Sequence, residues 1–389
     1  MRILHIIRTL NPEAGGPSQA IRMLLQHRDI GYFGEVVSMD DPAEPFLKTL
    51  DFPVYSFGPN ASTYGRSPQL LEWLGQNYSG YDGAIVHGLW QYGGVAARKT
   101  LRGKLPYMVF PHGMLDPYFK RAYPVKHLKK WLYWAPFEYH VLRDAHRVLF
   151  TSPAEKDLAN ETFWLHRWNP HVVPYGVNGP PENDPELLRE AFFEVCPQVR
   201  GKRYLLFLGR IHRKKGCDLL MEAFGKVASR DPELHIVMAG PDQQGWNVEL
   251  QKMARSFGVE DRVHWPGMLT GAPKWGAFYG CEAFILPSHQ ENFGIAVAEA
   301  LSCGKPVLLA DKVNIAEDIA NDGAGYMEPD TLEGTLRLLE RWIATSPKDR
   351  VAMGERGIQT FRVRYDMREN AKTIMSLFES AKNSRNGRS

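Results

Sequence analysis

The chain of 389 residues carries 44% hydrophobic and 12% aromatic side chains, and because a single core stops growing near ~250 to 300 residues, two domains are expected. A formal charge of +3 with 23% charged residues excludes a largely disordered chain and a nucleic-acid binder that works through overall basicity. No run of about 18 apolar residues occurs, so no membrane-spanning helix is expected.

The opening MRILHIIRTL is interrupted by Arg8 and lacks a small-residue cleavage site, so it reads as a strand and not as a signal peptide. Short apolar runs ending in Gly, Pro or His then alternate with amphipathic stretches, the pattern of βα units around a parallel sheet. In the first half the expected strands are residues 3–7, 34–39, 83–88, 106–113, 147–152 and 171–177. The loop after the first brings Gly15 and Gly16 ahead of Pro17, and glycine lets backbone approach a ligand closely. A simple turn explains it equally well. No G-x-G-x-x-G occurs, which weakens a dehydrogenase reading.

PHGMLDP puts His112 and Gly113 at the end of the fourth run, with His87 in HGLW as a competitor and Asp116 ranked below both. Residues 118–134 follow, where Lys120, Arg121, Lys126, Lys129 and Lys130 are interleaved with six aromatic residues, Trp131 among them, and no acid. That mixture suits an anionic bilayer surface; a partly buried helix with a solvated charged face is the competing reading.

Residues 178–202, rich in Pro and acid at their start, read as an interdomain linker with one short helix. The alternation restarts with expected strands at 204–209, 234–240, 263–267, 283–288 and 306–311, and a long amphipathic stretch closes the chain. After the first of these strands come Arg210, His212, Arg213, Lys214, Lys215 and Gly216, cations suited to a diphosphate. After the fourth come Glu291, Asn292, Phe293 and Gly294, then a helix carrying Glu299. Carboxylates accept several hydroxyl donors, and the start of a helix offers free N–H groups to an anion. The four cysteines, Cys196, Cys217, Cys281 and Cys303, form no CxxC pair and no zinc spacing, and read as buried reduced thiols suited to the cytosol.

On GRIHRKKG and ENFGIAVAE the chain resembles the retaining glycosyltransferases of the GT-B fold, often called family 4, over most of its length. The resemblance implies an α/β architecture of two doubly wound Rossmann-like domains facing across a cleft: residues 1–177 on the acceptor side, 178–202 as linker, 203–360 binding a nucleotide sugar, and 361–389 as a C-terminal helix packing back on the first domain with a polar tail. It implies that Arg210 and Lys215 hold the donor phosphates, Glu299 the ribose and Glu291 the sugar. Asn292, Phe293 and Gly294 would lend backbone amides, Gly16 would meet the diphosphate, and His112 would stand beside the sugar.

The function so implied is retaining transfer of a hexose-type sugar from a UDP- or GDP-linked donor to a glycan or lipid-linked acceptor, in cell-surface polysaccharide or lipopolysaccharide synthesis. A front-face route is expected, because no carboxylate nucleophile can be named. No cofactor and no metal are expected, since no DxD-like motif accompanies the phosphate loop, and no nucleic-acid partner. The expected location is cytoplasmic, peripheral on the inner face of the plasma membrane. A nucleotide-sugar epimerase of the same fold and a non-catalytic nucleotide-sugar-binding membrane scaffold stay open as alternatives.

Overall fold

The computed structural model describes residues 1–14, 16–59, 64–242 and 245–386. It divides the chain into two compact units, one formed by residues up to Gly176 together with those from Met367 onward, the other by Val177–Asp366.

In the first unit the strands are β1 (Arg2–Ile6), β2 (Phe33–Ser38), β3 (Val54–Ser56), β4 (Gly83–His87), β5 (Tyr107–Phe110), β6 (Arg147–Phe150) and β7 (Pro170–Val172). They form a parallel sheet in the order β3-β2-β1-β4-β5-β6-β7. In register, Ile3 lies opposite Gly34 on one side and Gly83 on the other. Every residue of β4 is buried, which is why it reads as an unbroken apolar run instead of an alternating one. One face packs Leu4, Val86, Val109 and Phe150 against Leu74 and Trp134. The other packs Ile3, Ile85 and Leu149 against Ile374, Leu377 and Phe378 of the final helix, Met367–Asn386. Gly83 is required there, because a Cβ on it would run into the Phe378 ring.

The second unit holds β8 (Arg203–Leu208), β9 (Leu234–Ala239), β10 (Val263–Gly267), β11 (Ala283–Leu286), β12 (Val307–Ala310) and β13 (Gly325–Glu328). They too are parallel, in the order β10-β9-β8-β11-β12-β13. Both sheets therefore reverse their winding beside the first strand of the unit, at β1/β4 and at β8/β11. In open α/β sheets, ligands bind beyond the carboxyl ends of the strands at such a point.

Two expected boundaries are corrected. Residues 178–202 are no free linker but part of the second unit: the helix Pro185–Val195 buries Leu188 and Phe192 over Gly276 of the helix Gly271–Gly280, where any Cβ would strike the Leu188 carbonyl. Residues 361–366 also stay in the second unit, because Phe361–Tyr365 prolongs the helix Pro347–Thr360 as a π-turn with both end residues buried. Val177 N–H donates to the Tyr365 carbonyl at 2.8 Å, which ties the two ends of the unit together.

Candidate functional site

In the second unit, the loop after β8 and the loop after β11 meet at the winding reversal. His212 N-caps a short turn, its Nδ1 accepting from Lys214 N–H at 3.0 Å. The Lys214 carbonyl accepts from His289 N–H and from the Ser288 hydroxyl, both at 2.9 Å. Gly216 closes the turn at φ +65°, against the Pro287 carbonyl, where no side chain fits. These contacts hold Lys215 so that its Nζ forms a short ion pair with Glu291 Oε2.

Glu291 itself is fixed by its backbone, donating to the Lys312 carbonyl at 3.0 Å and accepting from Asn314 N–H at 3.0 Å. Burial would push its carboxyl up, but Lys215, then Lys214 and Arg210, outweigh that and hold it below the usual carboxylate range. Asn292 Oδ1 accepts from the Asn314 amide at 3.4 Å. The Phe293 ring is buried against Tyr365. Gly294, at φ +81°, opens the helix Ile295–Ser302. On that same helix Glu299 is buried and accepts from Lys274 Nζ at 2.7 Å. Burial raises its carboxyl against the pull of Lys274.

The loops after β8 and β11 are thus joined at Lys215–Glu291 and Lys214–Ser288, while Arg213 lies 3.3 Å from Glu249, Glu299 is held by Lys274, and Arg210 is exposed. Lys274 is the residue that sequence reasoning missed; it lies on an otherwise apolar helix, 25 positions before its partner, and nothing in that spacing marks it. Among the described residues no three His, Cys, Asp or Glu side chains gather as a metal site. The four cysteines are buried and free.

In the first unit, His112 follows β5 with φ +54°, and Trp90 follows β4 with φ +66°. Non-glycine residues rarely adopt this region, and such strain concentrates where function holds the backbone. The segment around His112 is pinned by buried Glu155, whose Oε1 accepts from Gly113 N–H at 2.7 Å while Oε2 accepts from the Thr151 N–H and hydroxyl at 2.7 Å each. His112 is the fourth of five side chains joined in a row. Tyr32 Oη lies 3.0 Å from His5 Nε2, His5 Nδ1 2.9 Å from His87 Nε2, and His87 Nδ1 3.0 Å from His112 Nε2, while His112 Nδ1 meets Tyr175 Oη at short range. His87 is therefore no competitor of His112 but its support. Tyr175, His5 and Glu155 were not legible as its partners, because 63, 107 and 43 positions separate them from it in the chain.

Burial pushes His5 and His112 down to about 3 and His87 well below its usual value. Their folded values lie under the unfolded one of about 6.5, so the neutral rings contribute stability that is full above about pH 6.5 and lost as pH falls toward 3. The expected slope is about 1.4 kcal/mol per pH unit for each histidine. Urea midpoints measured between pH 7 and pH 5 check this. A flat profile across that window would refute it.

Gly15 lies outside the described residues, and Gly16 opens the helix Gly16–Leu24. The preceding loop is held by Asp40, which accepts from Leu10 N–H at 2.8 Å. The basic segment divides at Tyr123 into helices Tyr118–Ala122 and Pro124–Tyr133. Lys120 and Arg121 reach Glu161, at 3.2 Å and 3.3 Å. Lys126, Lys129 and the half-buried Lys130 lie on the second helix. Trp131, expected at headgroup level, instead packs on Phe163 and Trp164, and the exposed ring is Trp164, at 81%. Leu128 and Leu132 are 70% and 80% exposed beside it.

Residues 189–360 match the family model for glycosyl transferases group 1, and residues 15–176 match the glycosyl transferase 4-like domain. A mannosylfructose-phosphate synthase from Agrobacterium fabrum is 30% identical over 43% of this chain and 38% of its own length. A D-inositol 3-phosphate glycosyltransferase from Actinosynnema mirum is 36% identical over 44% of this chain and 43% of its own. The chain thus matches less than half the length of either relative. Among solved structures, sucrose-phosphate synthase from Thermosynechococcus elongatus superposes with a TM-score of 0.74 at 17% identity, covering 99% of this chain and 100% of that one. Anabaena HepE in complex with UDP gives 0.76 at 18% identity, covering 98% and 100%. The fold is GT-B.

Proposed function

As the chain belongs to the group 1 glycosyl transferases, with a glycosyl transferase 4-like first half, we propose that it is a retaining glycosyltransferase that takes a hexose-type sugar from a UDP- or GDP-linked donor without a metal. The observation that carries this reading is the pairing of Lys215 with Glu291 and of Lys274 with Glu299 beside the winding reversal of the second unit. Lys215 and Arg210 face a diphosphate whose charge grows as the sugar departs, and preorganised cations lower that barrier. Glu291, kept ionised, accepts sugar hydroxyls, and Glu299 accepts those of the ribose. A donor phosphate oxygen takes the acceptor proton on the face the nucleotide leaves, so configuration is kept.

The acceptor in this reading is a glycan or lipid-linked molecule of cell-surface polysaccharide or lipopolysaccharide synthesis, met at the inner face of the plasma membrane. Exposed Leu128, Leu132 and Trp164 with Lys126 and Lys129 alongside support contact with an anionic bilayer. Leu128→Ser with Leu132→Ser is expected to abolish sedimentation with phosphatidylglycerol vesicles, and unchanged sedimentation would remove the membrane part of the reading. For the reaction, the test is turnover with UDP- and GDP-hexoses in EDTA, followed by NMR of the product. Retained configuration is expected; inversion, or turnover that needs an added divalent ion, would overturn it.

A further inference from the structure

The row from Tyr32 to Tyr175 crosses the first unit on the sheet face of Ile3 and Ile85, where Met108 and Phe110 are apolar and His5 and His87 are buried. Apolar side chains of the same shape would be neutral or stabilising in such a place, so a polar row there calls for a use. Each of its three histidines has both ring nitrogens engaged. Burial keeps the rings neutral, and a neutral imidazole has one N–H, so each ring donates on one side and accepts on the other. The row therefore runs one way throughout. Its direction is set at Tyr32, which is wholly buried and whose hydroxyl has His5 Nε2 as its one hydrogen-bond partner among the described residues. Were the hydroxyl to accept there, its own proton would face no acceptor, a bias of about tenfold or more against that arrangement.

We propose that Tyr32, His5 and His87 are positioning residues: a one-way hydrogen-bond row that starts at the Tyr32 hydroxyl, fixes His112 as its Nδ1–H tautomer and pins that ring at both nitrogens. His87 Nδ1–H then donates to His112 Nε2, and His112 Nδ1–H faces Tyr175 Oη, which stands closer to Nδ1 than to Nε2. The pinned ring holds a backbone that needs holding. At φ +54° His112 lies in a region that persists where its surroundings over-determine it. The bond from Gly113 N–H to Glu155 is one such hold, and the row is the second. A ring engaged on both sides exchanges no proton with a substrate, so His112 shapes the segment after β5 and leaves acid–base work to other groups. The bearing of the row on turnover rests on the glycosyltransferase reading; the tautomers do not.

Long-range proton–nitrogen NMR of the full chain with labelled histidine, near pH 7, reads the tautomers, each ring being assigned by its loss in His5→Gln, His87→Asn or His112→Gln. All three are expected as Nδ1–H forms, and a dominant Nε2–H form at any of them would overturn the proposal. Tyr32→Phe removes one hydroxyl and keeps the ring. One direction then leaves a bare His5 nitrogen and the other an N–H without an acceptor, so the bias narrows and an Nε2–H form of His112 is expected to appear at the far end of the row. A pure Nδ1–H His112 in that variant would equally overturn it. Tyr32→Phe and His87→Leu are expected to lose about tenfold in kcat with UDP and GDP affinity unchanged, and His87→Asn, which still offers an N–H to His112, less than about threefold. Equal losses in the two His87 variants, or an unaltered kcat in Tyr32→Phe, would remove the positioning role. Absence of turnover in the wild type, with the three Nδ1–H forms present, would sink the enzyme reading and leave the tautomer assignment standing.

Discussion

Lys215→Ala is expected to cut turnover on the order of 10²- to 10³-fold, the cost of removing one preorganised donor from a developing charge, and to weaken nucleotide diphosphate binding at the same time. The residue has two roles. It faces the phosphates in the proposed complex, and without them it forms a short ion pair with Glu291. Alanine leaves that carboxylate with the more distant Lys214 and Arg210 as its remaining counter-charges. Breaking a buried pair costs about 3–5 kcal/mol, and the lower end applies here, because both side chains keep some solvent contact, at 15% and 19%.

The sign with pH follows from Glu291. Its folded value is depressed, so the pair adds stability that is present above the unfolded value of about 4.3 and is lost as pH falls through the folded one. The variant should lack that acid-limb loss. A second substitution, Glu291→Gln, should return part of the stability of Lys215→Ala without returning turnover. Calorimetric titration with UDP and GDP, with urea unfolding from pH 7 to pH 3, measures both effects. Unaltered nucleotide affinity in Lys215→Ala would refute the phosphate role, and unaltered acid unfolding would refute the pair.

Gly216→Ala is expected to cost more than about 3 kcal/mol of stability, or on the order of 10 °C in Tm for a unit of this size. Left-handed backbone alone costs a non-glycine residue about 1–2 kcal/mol. At φ +65° the added Cβ would also lie inside the Pro287 carbonyl oxygen, a rigid obstacle, since the next residue, Ser288, is bonded to the Lys214 carbonyl. The control is Gly258→Ala in the same unit, which has nearly the same φ, +66°, and open space around it. It should pay the conformational cost alone. Equal losses in the two variants would show that the collision does not matter.

Most of the two sheets was legible because buried parallel strands are continuous apolar runs, as in LHIVMA of β9, where every residue is buried. Two strands were not. β3 is three residues long and only half-buried at a sheet edge, and β13, GYME, is buried only at its glycine, so neither has a periodicity to read. The carboxylates and cations after β8 and β11 could be named because each is local to a strand-to-helix loop. Their partners could not. Lys274, Tyr175 and Glu155 reach their sites across the fold, and hydrogen bonds between distant segments leave no spacing in the chain. Trp131 misled for a different reason: helical position alone does not say which of two stacked indoles, Trp131 or Trp164, ends up outermost.

The chain leaves its first unit after Gly176 and returns to it at Met367. The second unit is thus an insertion within the first, and synthesis order acts on them unequally. When Asp366 has left the ribosome, the second unit holds all of its own residues. The first, begun earlier, still lacks Ile374, Leu377 and Phe378, the side chains that cover Ile3, Ile85 and Leu149 on one face of its sheet. The half that starts first is finished last, and a ribosome stalled near residue 366 would display a closed second unit beside a sheet with one bare apolar face, the kind of surface that chaperones bind.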